Sequence, residues 1–161
     1  ARLEHLEGNL EVAEQRLMHL RANLRGNADL SIGQGVDQEL AWVYLSLGEL
    51  ASAWDSARAL VHRSGNDTSP NSRLEVMEVW ATCAALGTYD PDLLAEVVHT
   101  CAAVRSAAGI PRPPLYARRC AALWPMSGTE ASASPASDAA VDMNWQDRLE
   151  ETWNRLRMTV G

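Results

Sequence analysis

The stretch that decides the fold is Glu39 to Leu60, ELAWVYLSLGELASAWDSARAL. Apolar and small residues recur at helical spacing on both sides of one glycine: Leu40, Ala41, Tyr44 and Leu47 precede Gly48, and Ala53, Trp54, Ala57 and Leu60 follow it at i, i+1, i+4 and i+7. That pattern predicts two amphipathic helices joined at Gly48, because glycine takes the left-handed conformation that ends a helix without a Cβ penalty. Related segments lie on either side. Gly8 is followed by Leu10, Ala13, Leu17 and Leu20, and Val79, Cys83, Gly87 and Tyr89 are in register before Ala95, Val98 and Ala102. Asp90 as N-cap and Pro91 as first helical residue explain the restart after Tyr89.

Leu40-Ala41, Tyr44, Gly48, Leu50, Ala53, Ala57 and Leu60 together resemble the tetratricopeptide signature, in which small residues let two antiparallel helices approach closely. The resemblance implies an all-α chain: a tetratricopeptide-like α-solenoid of about three to three and a half helix pairs. The first pair starts partway through its first helix, and a fourth first-helix is expected from Pro114 to Trp124. Gly8, Gly48 and Gly87 are 40 and 39 residues apart, against a family period of about 34. Two longer connections, Arg25 to Gly35 and Ser64 to Ser72, rich in Gly, Asn, Asp, Ser and Pro, account for the excess. Trp80 stands where a small residue is expected, which predicts a splayed or shifted third pair. The proline that usually follows each second helix is missing.

Composition agrees with an all-helical class. Phe is absent, Val and Ile are sparse, and Leu, Ala, Trp and Met carry the apolar content of the 161 residues. Lys is absent too, so all 14 basic side chains are Arg. With a formal charge of -7 and no basic run longer than Arg118-Arg119, nucleic acid is a poor partner. Cys83, Cys101 and Cys120 are widely spaced, with no CxxC, and read as reduced, buried thiols. No apolar run approaches a membrane span and no signal-peptide core is present, so the expected location is the cytoplasm and no membrane partner is expected. A start at Ala1 and a partial first unit read as an excised or processed piece.

Three segments follow. Residues 1–126 form the repeat domain; 127–140, rich in Ser, Ala, Gly and Thr with Pro135, form a tether too poor in apolar surface to order itself. Residues 141–161 form an amphipathic helix. Trp145, Leu149, Trp153, Leu156 and Val160 step along one stripe, Asn144 can cap the helix, and Glu151 to Arg155 is a favourable i,i+4 pair. Such a helix needs a receptor. It can cap the open end of the solenoid, lie in a groove as a tethered ligand, or insert into another copy or another protein. Glu150 and Arg157 are expected on its solvent side.

By resemblance to the family, the concave groove would be lined by Gln38, Trp42, Leu45 and Ser46 from the second unit and by Met77, Ala81, Ala84 and Ala85 from the third. This lining is apolar and lacks the basic residues and Asn that family members use to hold a C-terminal carboxylate. It suits an amphipathic helix or an extended segment with large apolar anchors. Arg112, Arg118 and Arg119 read as a basic rim or as a solvated face. Nothing points to an enzyme: Gly33-Gln34-Gly35 lacks the third glycine of a dinucleotide loop, a chain without Lys has no phosphate-loop lysine, and His5, His19, His62 and His99 are scattered. No cofactor or metal is expected. Two function classes remain, a protein-binding module for a helical peptide, its own C-terminal helix included, or a regulatory sensor arm cut from a larger signalling or transcription protein.

Overall fold

The computed structural model describes residues 4–5, 7–24, 30–65, 69–87, 90–111 and 144–160. Among them every regular element is an α-helix: α1 (Leu10–Leu24), α2 (Leu30–Leu47), α3 (Leu50–Arg63), α4 (Pro70–Leu86), α5 (Pro91–Ala108) and α6 (Trp145–Val160). The expected helix at Pro114 to Trp124, the tether at 127–140, Tyr89, Cys120 and the arginines at 112, 118 and 119 lie outside the described residues.

Local chemistry sets the helix ends. Gly8 and Gly48 take left-handed φ values of 81° and 77°, as the turn before α1 and the turn between α2 and α3 require. Gly87 does not share this role, since its φ of -108° and ψ of -176° are extended backbone. The Asp90 side chain accepts from the Asp92 and Leu93 amides with Pro91 beside it, so α5 restarts as its sequence predicts. Ser69 caps α4 in the same way by accepting from the Ser72 amide, followed by Pro70.

Both expected connections are shorter than their composition suggested. Helix α2 begins at Leu30, not after Gly35, and α4 begins at Pro70, not after Ser72. The first difference has a packing cause. A Cβ at Gly33 would meet the Arg63 guanidinium at 3.3 Å, so the glycine inside α2 leaves room for Arg63 to reach Asp37, one turn further along the same face.

Consecutive helices pack on one another from α1 to α5, most extensively α2 on α3, and α2 also touches α4. Ala13, Ala41, Ala53, Ala57 and Ala81 are fully buried and permit this close approach. Trp42, Trp80 and Trp153 fill the larger spaces with Leu40, Leu60, Leu74 and Met77. Trp80 lies 6.1 Å from Trp54 in a tilted arrangement with 53° between the rings. Helix α5 meets α4 over fewer residues than α3 meets α2, consistent with the bulky Trp80 in α4.

Two buried ionic sites fix helix register. Asp37 on α2 is fully buried between Arg21 of α1 at 3.0 Å and Arg63 of α3 at 3.1 Å. Glu78 on α4, also fully buried, takes two bonds from Arg105 of α5, at 2.7 Å from Nε and 3.0 Å from Nη2. The third guanidinium nitrogen of Arg105 donates to the Pro111 carbonyl at 3.1 Å. Such a fork satisfies both partners, and removing one of them leaves an uncompensated charge inside the protein.

Glu78→Gln or Arg105→Met alone should therefore cost about 3 to 5 kcal/mol in urea denaturation, and Glu78→Leu with Arg105→Met should regain most of it. Singles within about 1 kcal/mol of the parent would show that the pair carries no register information. Asp37 adds a pH signature. Loss of water raises its carboxyl above the ordinary value, and Arg21 and Arg63 pull it back only in part because both share their charge with solvent. A folded pKa above the unfolded one means that the contribution to stability is complete below the ordinary Asp value of about 3.9 and is lost as pH rises through the folded value. Asp37→Asn should accordingly gain on the parent as pH is raised from about 4 to 7, read from the pH dependence of the urea midpoint. A parallel pH dependence in the two proteins would contradict the raised carboxyl.

Candidate functional site

The C-terminal helix is where the strongest sequence pattern meets the most specific contacts. Asn144 opens it, its Oδ1 accepting from the Gln146 amide at 3.2 Å. Leu149, Trp153, Leu156 and Val160 are buried and Trp145 is half-buried, so the stripe read from sequence is one covered face. The seat is formed chiefly by α5, then α3, with a smaller contribution from α4. The helix therefore lies mainly along α5 and α3. The expected groove was to be lined by α2 and α4.

Polar contacts fix its position along the seat. Thr152 sits within the apolar stripe, and its hydroxyl lies 3.0 Å from that of Thr100 on α5, both side chains being buried. Thr152 also donates to Glu96 at 3.4 Å, and Glu96 forms an ion pair with Arg155. On the other flank Glu150 pairs with Arg73 of α4, whose hydrogen bond holds the Glu150 carboxyl below its ordinary value. Two expectations change here. Glu150 faces the array instead of standing free in solvent, and Arg155 reaches across to Glu96 of α5, while Glu151 stays exposed. The reason is geometric: both side chains flank the buried stripe and lie within reach of charges on α4 and α5.

The eight residues expected to line a groove are placed differently from that helix. Trp42, Leu45, Met77, Ala81 and Ala84 are buried and present no open surface, Gln38 is half-buried, and only Ser46 and Ala85 are exposed. Gln38 donates to Glu75 of α4 at 3.3 Å, so this side chain joins α2 to α4. An open cleft of about 390 Å³ between α3 and α6, lined by His62, Asn154, Arg157 and Met158, is too shallow to enclose a small molecule.

One cluster has the residue types of a hydrolase. His5 Nε2 lies 3.0 Å from Ser46 Oγ, and His5 Nδ1 lies 3.8 Å from a Glu39 oxygen. The Ser46 hydroxyl, however, donates to the Trp42 carbonyl at 2.9 Å, which leaves it an acceptor toward the imidazole. Ser46 also sits in the last turn of α2, where the negative end of the helix dipole opposes an alkoxide. The arrangement ties the chain around His5 to the end of α2. Among the described residues no three His, Cys, Asp or Glu side chains are grouped to hold a metal. Cys83 is buried, and burial pushes its thiol up to about 12, leaving no thiolate for chemistry at neutral pH.

The Thr100–Thr152 pair offers a direct check on the seat. Thr152→Val alone strands the buried Thr100 hydroxyl and should cost about 1 to 3 kcal/mol, Thr100→Val should cost less because Thr152 keeps its bond to Glu96, and the double variant should cost less than the sum. Strictly additive costs in denaturant unfolding would mean that the two hydroxyls do not meet. No protein-family model, no curated protein and no solved structure matches the chain.

Proposed function

We propose that the chain is a protein–protein interaction module: a helical array of tetratricopeptide type that binds an amphipathic helix, with no catalytic step and no cofactor. It works in the cytoplasm, where the buried thiols of Cys83 and Cys101 stay reduced. The observation that carries this reading is the seating of α6, in which an apolar face of one helix is met by apolar surface while Thr152, Glu150 and Arg155 each find a complementary group on another helix. Helix-in-groove recognition uses the same components, large apolar anchors for affinity and flanking polar pairs for register. The tetratricopeptide arrangement is supported by the close packing at Ala13, Ala53 and Ala57 and by the glycine turns at Gly8 and Gly48.

In this reading α6 is the ligand already in place, so the binding capacity of the array is visible only when its own helix is loosened. A full-length Trp153→Ala variant should bind a labelled peptide of residues 144–160 with a Kd on the order of micromolar, at least about tenfold tighter than the parent chain binds it. Fluorescence anisotropy measures both. A variant that keeps its helical circular dichroism and cooperative melt but takes up no peptide would remove the proposal.

A further inference from the structure

Trp153 is fully buried, and its indole N–H has no hydrogen-bond partner among the described residues. A donor taken out of water without an acceptor weakens whatever contact buries it, by roughly five- to a hundredfold in an equilibrium constant. Three polar pairs flank the ring on the same face. Glu96 takes Arg155, Arg73 takes Glu150, and Thr100 meets Thr152. The mismatch therefore belongs to the occupant and not to the seat, since an aromatic ring without a donor in the same position would leave nothing unsatisfied.

Connectivity makes that mismatch consequential. Residues 109–144 separate α5 from α6 in the sequence, so α6 competes for its seat as a tethered ligand at an effective concentration on the order of millimolar. A free helix of equal quality at micromolar concentration would lose to it by about a thousandfold. An occupant without the stranded donor recovers a large part of that disadvantage.

We propose that α6 is a displaceable internal ligand, and that its seat on α5 and α3 receives an amphipathic helix of a partner protein bearing a donor-free ring, such as Phe, where α6 has Trp153. The proposal rests on the helix-binding function given above. The seat also defines the rest of the partner: a hydroxyl residue immediately before the ring to meet Thr100, a basic residue two positions after it for Glu96, and an acid three before it for Arg73. Leucines four before and three after the ring complete the apolar stripe, in the places of Leu149 and Leu156.

The test uses the full chain and two peptides of residues 144–160, one unmodified and one with 3-benzothienylalanine at position 153, which keeps the size of the indole and removes its N–H. The chain carries Thr100→Cys and Thr152→Cys, with its native cysteines changed to Ala, so that oxidation locks α6 in its seat and reduction frees it. The modified peptide should bind the reduced chain roughly five- to a hundredfold tighter than the unmodified one, and neither should bind the oxidised chain. In the unaltered chain, excess modified peptide should raise amide exchange across residues 145–160 and leave α1 and α2 protected, a measurement that needs no variant to fold. Equal affinities would overturn the inference and leave helix binding standing, as would binding that ignores the lock. An inter-chain disulfide that replaces the intra-chain one would overturn it in favour of a second copy of this chain as the occupant. Failure of both peptides to bind the reduced chain and the loosened Trp153→Ala variant would overturn the helix-binding function as well.

Discussion

The contact on which the rest depends is the fork between Glu78 and Arg105, a carboxylate and a guanidinium both taken out of water between α4 and α5. Apolar packing alone leaves two helices free to slide by a turn at little cost, because one layer of Leu, Val and Ala resembles the next. A buried charge does not tolerate sliding, since a shift of one residue strands it. The fork thus sets where α5 stands along α4. Glu96 and Thr100, which lie on α5 ahead of Arg105, are carried to fixed places by it, and both make polar contacts with α6. Asp37 performs the same task for α1, α2 and α3.

In the proposed function, α6 both covers the other helices and serves as their ligand. An apolar helix face without a neighbour is costly in water and needs a cover. Helix α6 provides that cover through Leu149, Trp153, Leu156 and Val160. A covering helix needs fit alone, and most buried polar atoms in proteins are satisfied. This one meets the array through side-chain pairs specific enough to dictate register and keeps a buried indole donor without an acceptor among the described residues.

Much of this was legible before any coordinate. The glycine at position 48, the alanines around it and the stripe from Trp145 to Val160 each carry a period that only a helix satisfies, and Asp90-Pro91 announces a helix start by its own chemistry. Connection lengths were less legible. Gly33 and Gly35 resemble loop residues in sequence, and only the approach of Arg63 explains why one of them stands inside a helix. The face on which α6 docks was also hidden, because it depends on which helix pairs with which charge across 27 to 77 positions of sequence. A signal was nevertheless present: Thr152 interrupts an apolar stripe, and Glu78 interrupts the run from Val76 to Trp80, positions where a polar residue needs a buried partner.

The double role proposed for α6 would couple stability to recognition. Any helix that replaces it must cover the same apolar face, so a partner that displaces α6 also restores the cover that displacement removes, and the array is never required to stand with its end bare. Binding free energy then appears only as the difference between two occupants of one seat, which is small even when each contact is extensive. The ionic register of α4 and α5 would let the proposed exchange proceed without collapse, since Glu78 and Arg105 join these helices by a contact that does not involve α6. A face fixed by buried charge and an occupant held by imperfect burial are the two conditions that the proposed exchange requires, and the Glu78–Arg105 fork and Trp153 lie on different helices.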